Sequence, residues 1–247
     1  MRFGVKIYLN KSDKLYVPFN YRRHILSLIK EAILAENSAI YNLYYDNRLK
    51  NLQKPFTFSV FLHVAENQRE KGKIVLSSNI INLFFSSFSY EFLITVYNGL
   101  HKLKGKKLNF LNNNIEIRDF FYIKQKKISN NTVTFKTLSP ILVRHIENKK
   151  GKGFLKANHP DFKENLFYNV KSLSRNFLNY ELKREEFKII SMKFESKKVS
   201  LYGNEIANKG IITIKSPVKI LQMLYDAGIG AKRSQGFGML EVVKQGN

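Results

Sequence analysis

The 247-residue chain carries 42 Lys+Arg against 19 Asp+Glu, a formal charge of +23, and 44% of its residues are hydrophobic. It has no cysteine, which excludes a disulfide framework, a thiolate metal site and a cysteine nucleophile. The apolar content excludes disorder as the main state, and the length admits one large domain or two of about 120 residues, each able to bury a core. The opening Met1–Lys6 lacks the apolar stretch of a signal peptide, and no segment reaches the roughly 18 uninterrupted apolar residues of a membrane span. No helix pattern sets a basic face against an exposed apolar one. The expectation is a cytoplasmic protein without a membrane partner.

Taken in chain order, Phe3, Val5, Ile7 and Leu9 alternate with polar residues and predict a first strand. Asn20 offers an N-cap, and Tyr21, Ile25, Leu28, Ile29, Ala32 and Ile33 share one face of a predicted helix over 21–36. After Pro55, the run Phe56, Phe58, Val60, Leu62, Val64 alternates with Thr57, Ser59 and His63 and predicts a second strand. A shorter strand is predicted over 73–78. Ser89 then caps a helix carrying Phe92, Val96, Leu100 and Leu103, and 115–123 is strand-like. The first half therefore reads β-α-β-β-α-β.

The second half repeats that order. Residues 132–137 predict a strand and 144–157 an exposed Lys- and Gly-rich hairpin; Pro160 stands at the first turn of a helix reaching Leu178. Strands follow over 187–195 and 210–215, Pro217 opens a short helix, and 237–243 forms the last strand. Two such units predict an α+β fold of tandem ferredoxin-like (RRM-like) domains, 1–125 and 126–247. No sequence repeat relates them.

The charge is clustered: Lys102, Lys104, Lys106 and Lys107; Lys124, Lys126 and Lys127; Lys149, Lys150, Lys152 and Lys156. Such clusters attract polyanions, and 13 tyrosines and 20 phenylalanines supply rings on which unpaired bases can stack. An AT-rich coding sequence also favours lysine, so part of the surplus needs no ligand. The most specific feature is Gly228-Ile229-Gly230-Ala231-Lys232-Arg233-Ser234-Gln235-Gly236-Phe237-Gly238, set between the last helix and the last strand. Its glycines permit close backbone approach to a phosphate, Lys232 and Arg233 add charge, and Ser234 and Gln235 add hydrogen-bonding groups. It is neither a Walker loop, which follows a strand and ends in Gly-Lys-Ser/Thr, nor a dinucleotide fingerprint, which opens a helix.

This loop, GxGxxxxxGxG at Gly228, Gly230, Gly236 and Gly238, resembles the C-terminal signature of the RAMP-type CRISPR-associated endoribonucleases that process precursor CRISPR RNA. Val17-Pro18-Phe19-Asn20-Tyr21, Lys54-Pro55-Phe56-Thr57-Phe58-Ser59 and Thr137-Leu138-Ser139-Pro140 resemble further family segments. The resemblance implies tandem ferredoxin-like domains and repeat RNA as partner, and leaves an interference complex and a homodimer open as further partners. It implies cofactor-free, metal-independent cleavage by the ribose 2′-hydroxyl, leaving a 2′,3′-cyclic phosphate and a 5′-hydroxyl. The five scattered histidines, with no His-x-x-x-His, accord with the absence of a metal site.

Many family members place a catalytic histidine just beyond the first helix, whereas this chain has Leu43-Tyr44-Tyr45-Asp46. With a pKa near 10, Tyr44 or Tyr45 suits orientation of the 2′-hydroxyl or acid catalysis better than base catalysis. His24, beside Arg22 and Arg23, is the substitute candidate for proton transfer. Lys50 and Lys54 are candidates for offsetting phosphorane charge, and Arg144 and His145 for RNA contact. The alternatives are an inactive repeat-RNA-binding protein of the same fold and, more distantly, a general single-strand RNA-binding module.

Overall fold

The computed structural model describes residues 1–10, 15–46, 52–70, 72–110, 113–146, 153–200 and 204–246. The opening alternation becomes β1 (Arg2–Leu9), which buries Phe3, Val5, Ile7 and Leu9. It lies between β4 (Lys73–Ser87) and β6 (Asn113–Tyr122), both antiparallel to it, and β3 (Phe56–Glu70) pairs with β4 on the far side. Short strands β2 (Tyr16–Pro18) and β5 (Leu108–Phe110) extend the sheet at β4 and β6. The helices α1 (Tyr21–Glu36) and α3 (Tyr90–Lys102) supply Ile25, Ile29, Ile33, Phe92, Val96 and Leu100 to a core shared with the strands. The Ser89 side chain accepts the Phe92 N–H as the N-cap expected of it, worth about 1 kcal/mol. An additional helix, α2 (Ser38–Tyr45), starts where the Asn37 side chain accepts the Ile40 N–H.

Strand β4 is longer than the 73–78 expected. Ile80 and Phe84 interrupt the sequence alternation of Ile81, Leu83 and Phe85, yet the segment stays extended because β1 and β3 pair with its two edges. The second unit consists of β7 (Thr132–Thr137), α4 (Phe162–Leu178), β8 (Lys188–Ser200), β9 (Asn204–Lys215), α5 (Val218–Ala227) and β10 (Leu240–Gln245), with strand order β10-β7-β9-β8. Both units thus have the ferredoxin-like order, each with its own apolar core. Pro160 lies outside α4, whose N-cap is Asp161, and Pro217 is itself the N-cap of α5. The last strand starts at Leu240 because Gly238, at φ 71°, turns the chain and gives its N–H to Pro140. Among the described residues no helix is long and apolar enough to cross a membrane.

The units meet through side chains that the sequence alternation assigns to the polar face of the first sheet. Thr57 Oγ1 donates to the Phe237 carbonyl at 2.8 Å, Ser59 Oγ to Leu138 at 2.9 Å and Ser86 Oγ to Asp226 at 2.7 Å. Arg2 is buried, donates to the Tyr225 carbonyl, pairs with Glu241 at 3.1 Å and stacks its guanidinium 3.5 Å from the Tyr225 ring centroid. These carbonyls lose water on docking, so each missing donor costs more than an average hydrogen bond contributes. Thr57→Val keeps the side-chain shape and strands the Phe237 carbonyl; it should lower stability by about 1–3 kcal/mol in urea unfolding. Ser77→Ala, at an exposed hydroxyl, should change it by less than about 0.5 kcal/mol. Equal losses would show that the interface hydroxyl has no special role.

Candidate nucleic-acid interface

The segment joining α5 to β10 folds back on itself. Ile229 N–H donates to the Gly238 carbonyl at 2.9 Å, Ala231 N–H to Leu142 at 2.7 Å and Gly230 N–H to Asn169 Oδ1 at 3.0 Å. A Cβ on Gly238 would overlap the Ile229 carbonyl, and one on Gly236, at φ 85°, would come within 2.6 Å of the Phe58 ring in the first unit. Ile229 and Phe237 are fully buried. For Gly228, Gly230, Gly236 and Gly238 the structure shows a packing role within the protein. All four are buried, their N–H groups donate to Leu224, Asn169, Arg233 and Pro140, and their missing Cβ atoms make room for the protein's own chain.

Arg233 is also engaged within the protein. It is 7% exposed, its Nη1 donates to the Ala227 carbonyl at 2.7 Å, its Nη2 to the Lys54 carbonyl at 3.2 Å, and Phe177 lies 5.3 Å from its guanidinium. Burial pushes its pKa down to about 9, still charged at neutral pH. It acts as an internal clamp from the loop to the chain entering β3. Lys232 instead is only partly buried, at φ 57°; burial and then Arg144 push its amine down while Glu205 pushes it up. Ser234 and Gln235, both half-buried, join Lys232, Gln53, Lys54 and Asn169 around a polar cleft of about 310 Å³ spanning both units.

Lys54 connects this cleft to a second group. Its Nζ lies 4.8 Å from the Tyr45 ring centroid, and Lys30 Nζ lies 4.7 Å from the same ring. Burial and then Lys30 lower the Lys54 pKa. Two neighbouring ammonium groups, with no carboxylate paired to either among the described residues, favour an anion between or beside them. Burial holds the Tyr45 hydroxyl well above the ordinary tyrosine value, and its oxygen is buried without a hydrogen-bond partner among the described residues. Tyr44 packs edge-on against Phe92, and burial, then Glu91, raise its pKa.

The remaining sequence candidates are distributed around this centre. Arg22 lies over Phe237 at 5.0 Å and Tyr21 at 4.8 Å, against the glycine loop, whereas Arg23 is exposed. His24 is half-buried, its pKa lowered by burial and then by Arg23. Six residues separate it from Lys30 on α1, about 9 Å along the axis and roughly 120° around it. Arg144 is exposed and His145 half-buried beside Asp161. Lys50 lies outside the described residues. Lys30, Gln53 and Asn169 were missed from sequence: the first reads as an ordinary helix-flank lysine, and the others acquire significance only when α4 and the loop converge on residues 53–54.

Residues 123–242 match the family described as CRISPR associated protein Cas6, C-terminal. Over 98% of this chain and 94% of its own length, the CRISPR-associated endoribonuclease Cas6 1 of Methanocaldococcus jannaschii is 29% identical. The C-terminal part of the chain is thus similar to Cas6 proteins, and its whole length is similar to a Cas6 endoribonuclease. The solved structure of a Cas6-related protein from Pyrococcus furiosus superposes with a TM-score of 0.82 at 23% identity, covering 100% of this chain and 99% of the other. That of a RAMP protein binding different RNA substrates gives 0.81 at 22% identity, covering 99% and 100%. The tandem ferredoxin-like arrangement is thus shared with these solved structures, and the glycine loop lies inside the match to the Cas6 C-terminal family.

The cleft and the clamp predict opposite phenotypes for adjacent residues. Lys232→Ala and Lys54→Ala should each weaken binding of single-stranded repeat RNA and reduce the log K against log[salt] slope by about 0.7. Arg233→Leu should lower the unfolding temperature and leave the slope of the folded fraction unchanged. A flatter slope in Arg233→Leu without a stability loss would place that guanidinium on the RNA.

Proposed function

We propose that the protein binds CRISPR repeat RNA and cleaves precursor CRISPR RNA without a metal. The 2′-hydroxyl upstream of the scissile phosphate attacks phosphorus in line, the 5′ oxygen departs, and the ends are a 2′,3′-cyclic phosphate and a 5′-hydroxyl. The match of residues 123–242 to the Cas6 C-terminal family and the similarity to relatives named as endoribonucleases support this reading. The observation that carries it is the Lys30–Tyr45–Lys54 group beside the two-unit cleft. An in-line displacement gathers negative charge on the phosphorane, and ammonium groups held in place by a ring and partial burial stabilise that charge without reorganising. Tyr45, its pKa raised by burial, suits donation to the leaving oxygen rather than removal of the 2′ proton. His24, its pKa lowered by burial and Arg23, is neutral at pH 7 and competent as the base.

A second reading is a repeat-RNA-binding protein without cleavage activity. It is favoured by the buried Tyr45 hydroxyl and by the placement of His24 on a different flank of α1 from Lys30. Labelled repeat RNA incubated with the protein in EDTA separates the two. Product that persists in EDTA and disappears when the ribose at the cleavage position is 2′-deoxy supports the nuclease; tight binding without product supports the second reading. If His24 is the base, His24→Ala slows single-turnover cleavage by about 10²-fold or more. The parent rate should then be flat from about pH 7 to 8 and fall only below the ordinary imidazole value of about 6.5, because a lowered pKa keeps the base deprotonated above it. An unchanged rate in His24→Ala removes His24 from the chemistry.

A further inference from the structure

We propose that His145, His159 and Asp161, none of which lines the cleft, form a binding site for a divalent metal ion of the zinc type. The three residues come from two segments that the sequence gives no reason to connect. One ligand atom from each lies within 4.8 Å of the others. Asp161 Oδ2 is 3.5 Å from His145 Nε2 and 3.6 Å from His159 Nδ1. Metal–ligand bonds of about 2.0–2.2 Å in a tetrahedron separate neighbouring donors by roughly 3.3–3.6 Å, so these two edges already have the required length. The imidazole planes meet at 87° with centroids 5.7 Å apart, an edge-on arrangement rather than a stack.

The frame around the three residues is built by hydrogen bonds. Buried Asn165 accepts the Ile146 N–H at 2.7 Å through Oδ1 and donates through Nδ2 to the Asp161 carbonyl at 2.8 Å, tying the His145 segment to the start of α4. His159 N–H donates to Lys156 at 3.0 Å, and its carbonyl accepts the Phe162 N–H at 3.0 Å. The Asp161 N–H donates to His159 Nδ1 at 3.2 Å; this places the neutral ring's proton on Nε2, and an ion bound at Nδ1 takes the place of that one hydrogen bond. Asp161 is the N-cap residue of α4, yet its carboxylate makes no capping bond and stands beside the two imidazoles.

Two imidazoles and one carboxylate suit zinc, cobalt or nickel and not magnesium or calcium, which require mainly oxygen. The Asp161 and His159 side chains are 50% and 39% exposed, so water can complete the fourth position. None of the three residues lines the cleft, and a bound ion holds the start of α4 to the segment carrying Arg144.

Zinc binding by tag-free, EDTA-treated full-length protein, without RNA, tests the proposal independently of any nuclease activity. Competition against a chromophoric chelator should give one zinc per chain, and cobalt should give the visible d–d bands of a four-coordinate site. Asp161→Asn and His159→Ala should each weaken zinc by tenfold or more, whereas His63→Ala should not. Melting in EDTA identifies any variant that fails to fold, and near-isosteric Asp161→Asn carries the test if a histidine variant does. Failure of the parent to bind one zinc, or parent-like binding by folded Asp161→Asn and His159→Ala, overturns the proposal.

Discussion

The buried guanidinium of Arg233 is the constraint around which the two units are arranged. A charge removed from water must be surrounded by acceptors, and the acceptors here are the carbonyl of Ala227 at the end of α5 and that of Lys54 just before β3. One side chain therefore fixes the glycine loop to both units at once. The glycines follow from that closeness. Where backbone packs on backbone at Ile229 and Gly238, and on a ring at Phe58, a Cβ has no space, and positive φ removes any gain from adding one.

The same clamp decides which cations remain for a ligand. Arg233 holds the Lys54 backbone, leaving the Lys54 amine to share the Tyr45 ring with Lys30. Lys232, next to the clamp in sequence, stays partly solvated near Arg144. A surplus of +23 spread over a surface gives a polyanion an approximate attraction. Ammonium groups held in a cleft between two rigid sheets give it a position and an orientation, which is what distinguishes a site from a charged patch.

Much of the fold was legible because the apolar pattern along single elements is strong. Helix α1 occupies the residues its 3.6-residue period predicts, and Ser89 caps α3 as its position before Phe92 suggests. Legibility stopped where apolar residues occupy both faces, as at Ile80 and Phe84 in β4, and where a boundary depends on a distant partner, as at Gly238 and Pro140. The glycine spacing lies inside the segment that matches the Cas6 C-terminal family, whereas the packing of its glycines against the protein's own chain was not legible. From sequence, a glycine that admits phosphate and a glycine that admits another stretch of backbone look the same.

Sequence alone determined the order of the main strands and helices, the two-unit plan, the basic character and the glycine signature, because each depends on local periodicity, composition or spacing. Only the tertiary structure decided that Arg233 points inward while Lys232 does not, that Lys30 joins Lys54 at Tyr45, and that His145 and His159 meet at Asp161. In these relations Arg233 and Lys54 are 179 positions apart, Lys30 and Lys54 are 24 apart, and His145 and His159 are 14 apart. They arise when docking removes water from particular side chains and leaves others at its edge, and no periodicity along the chain records which will be which.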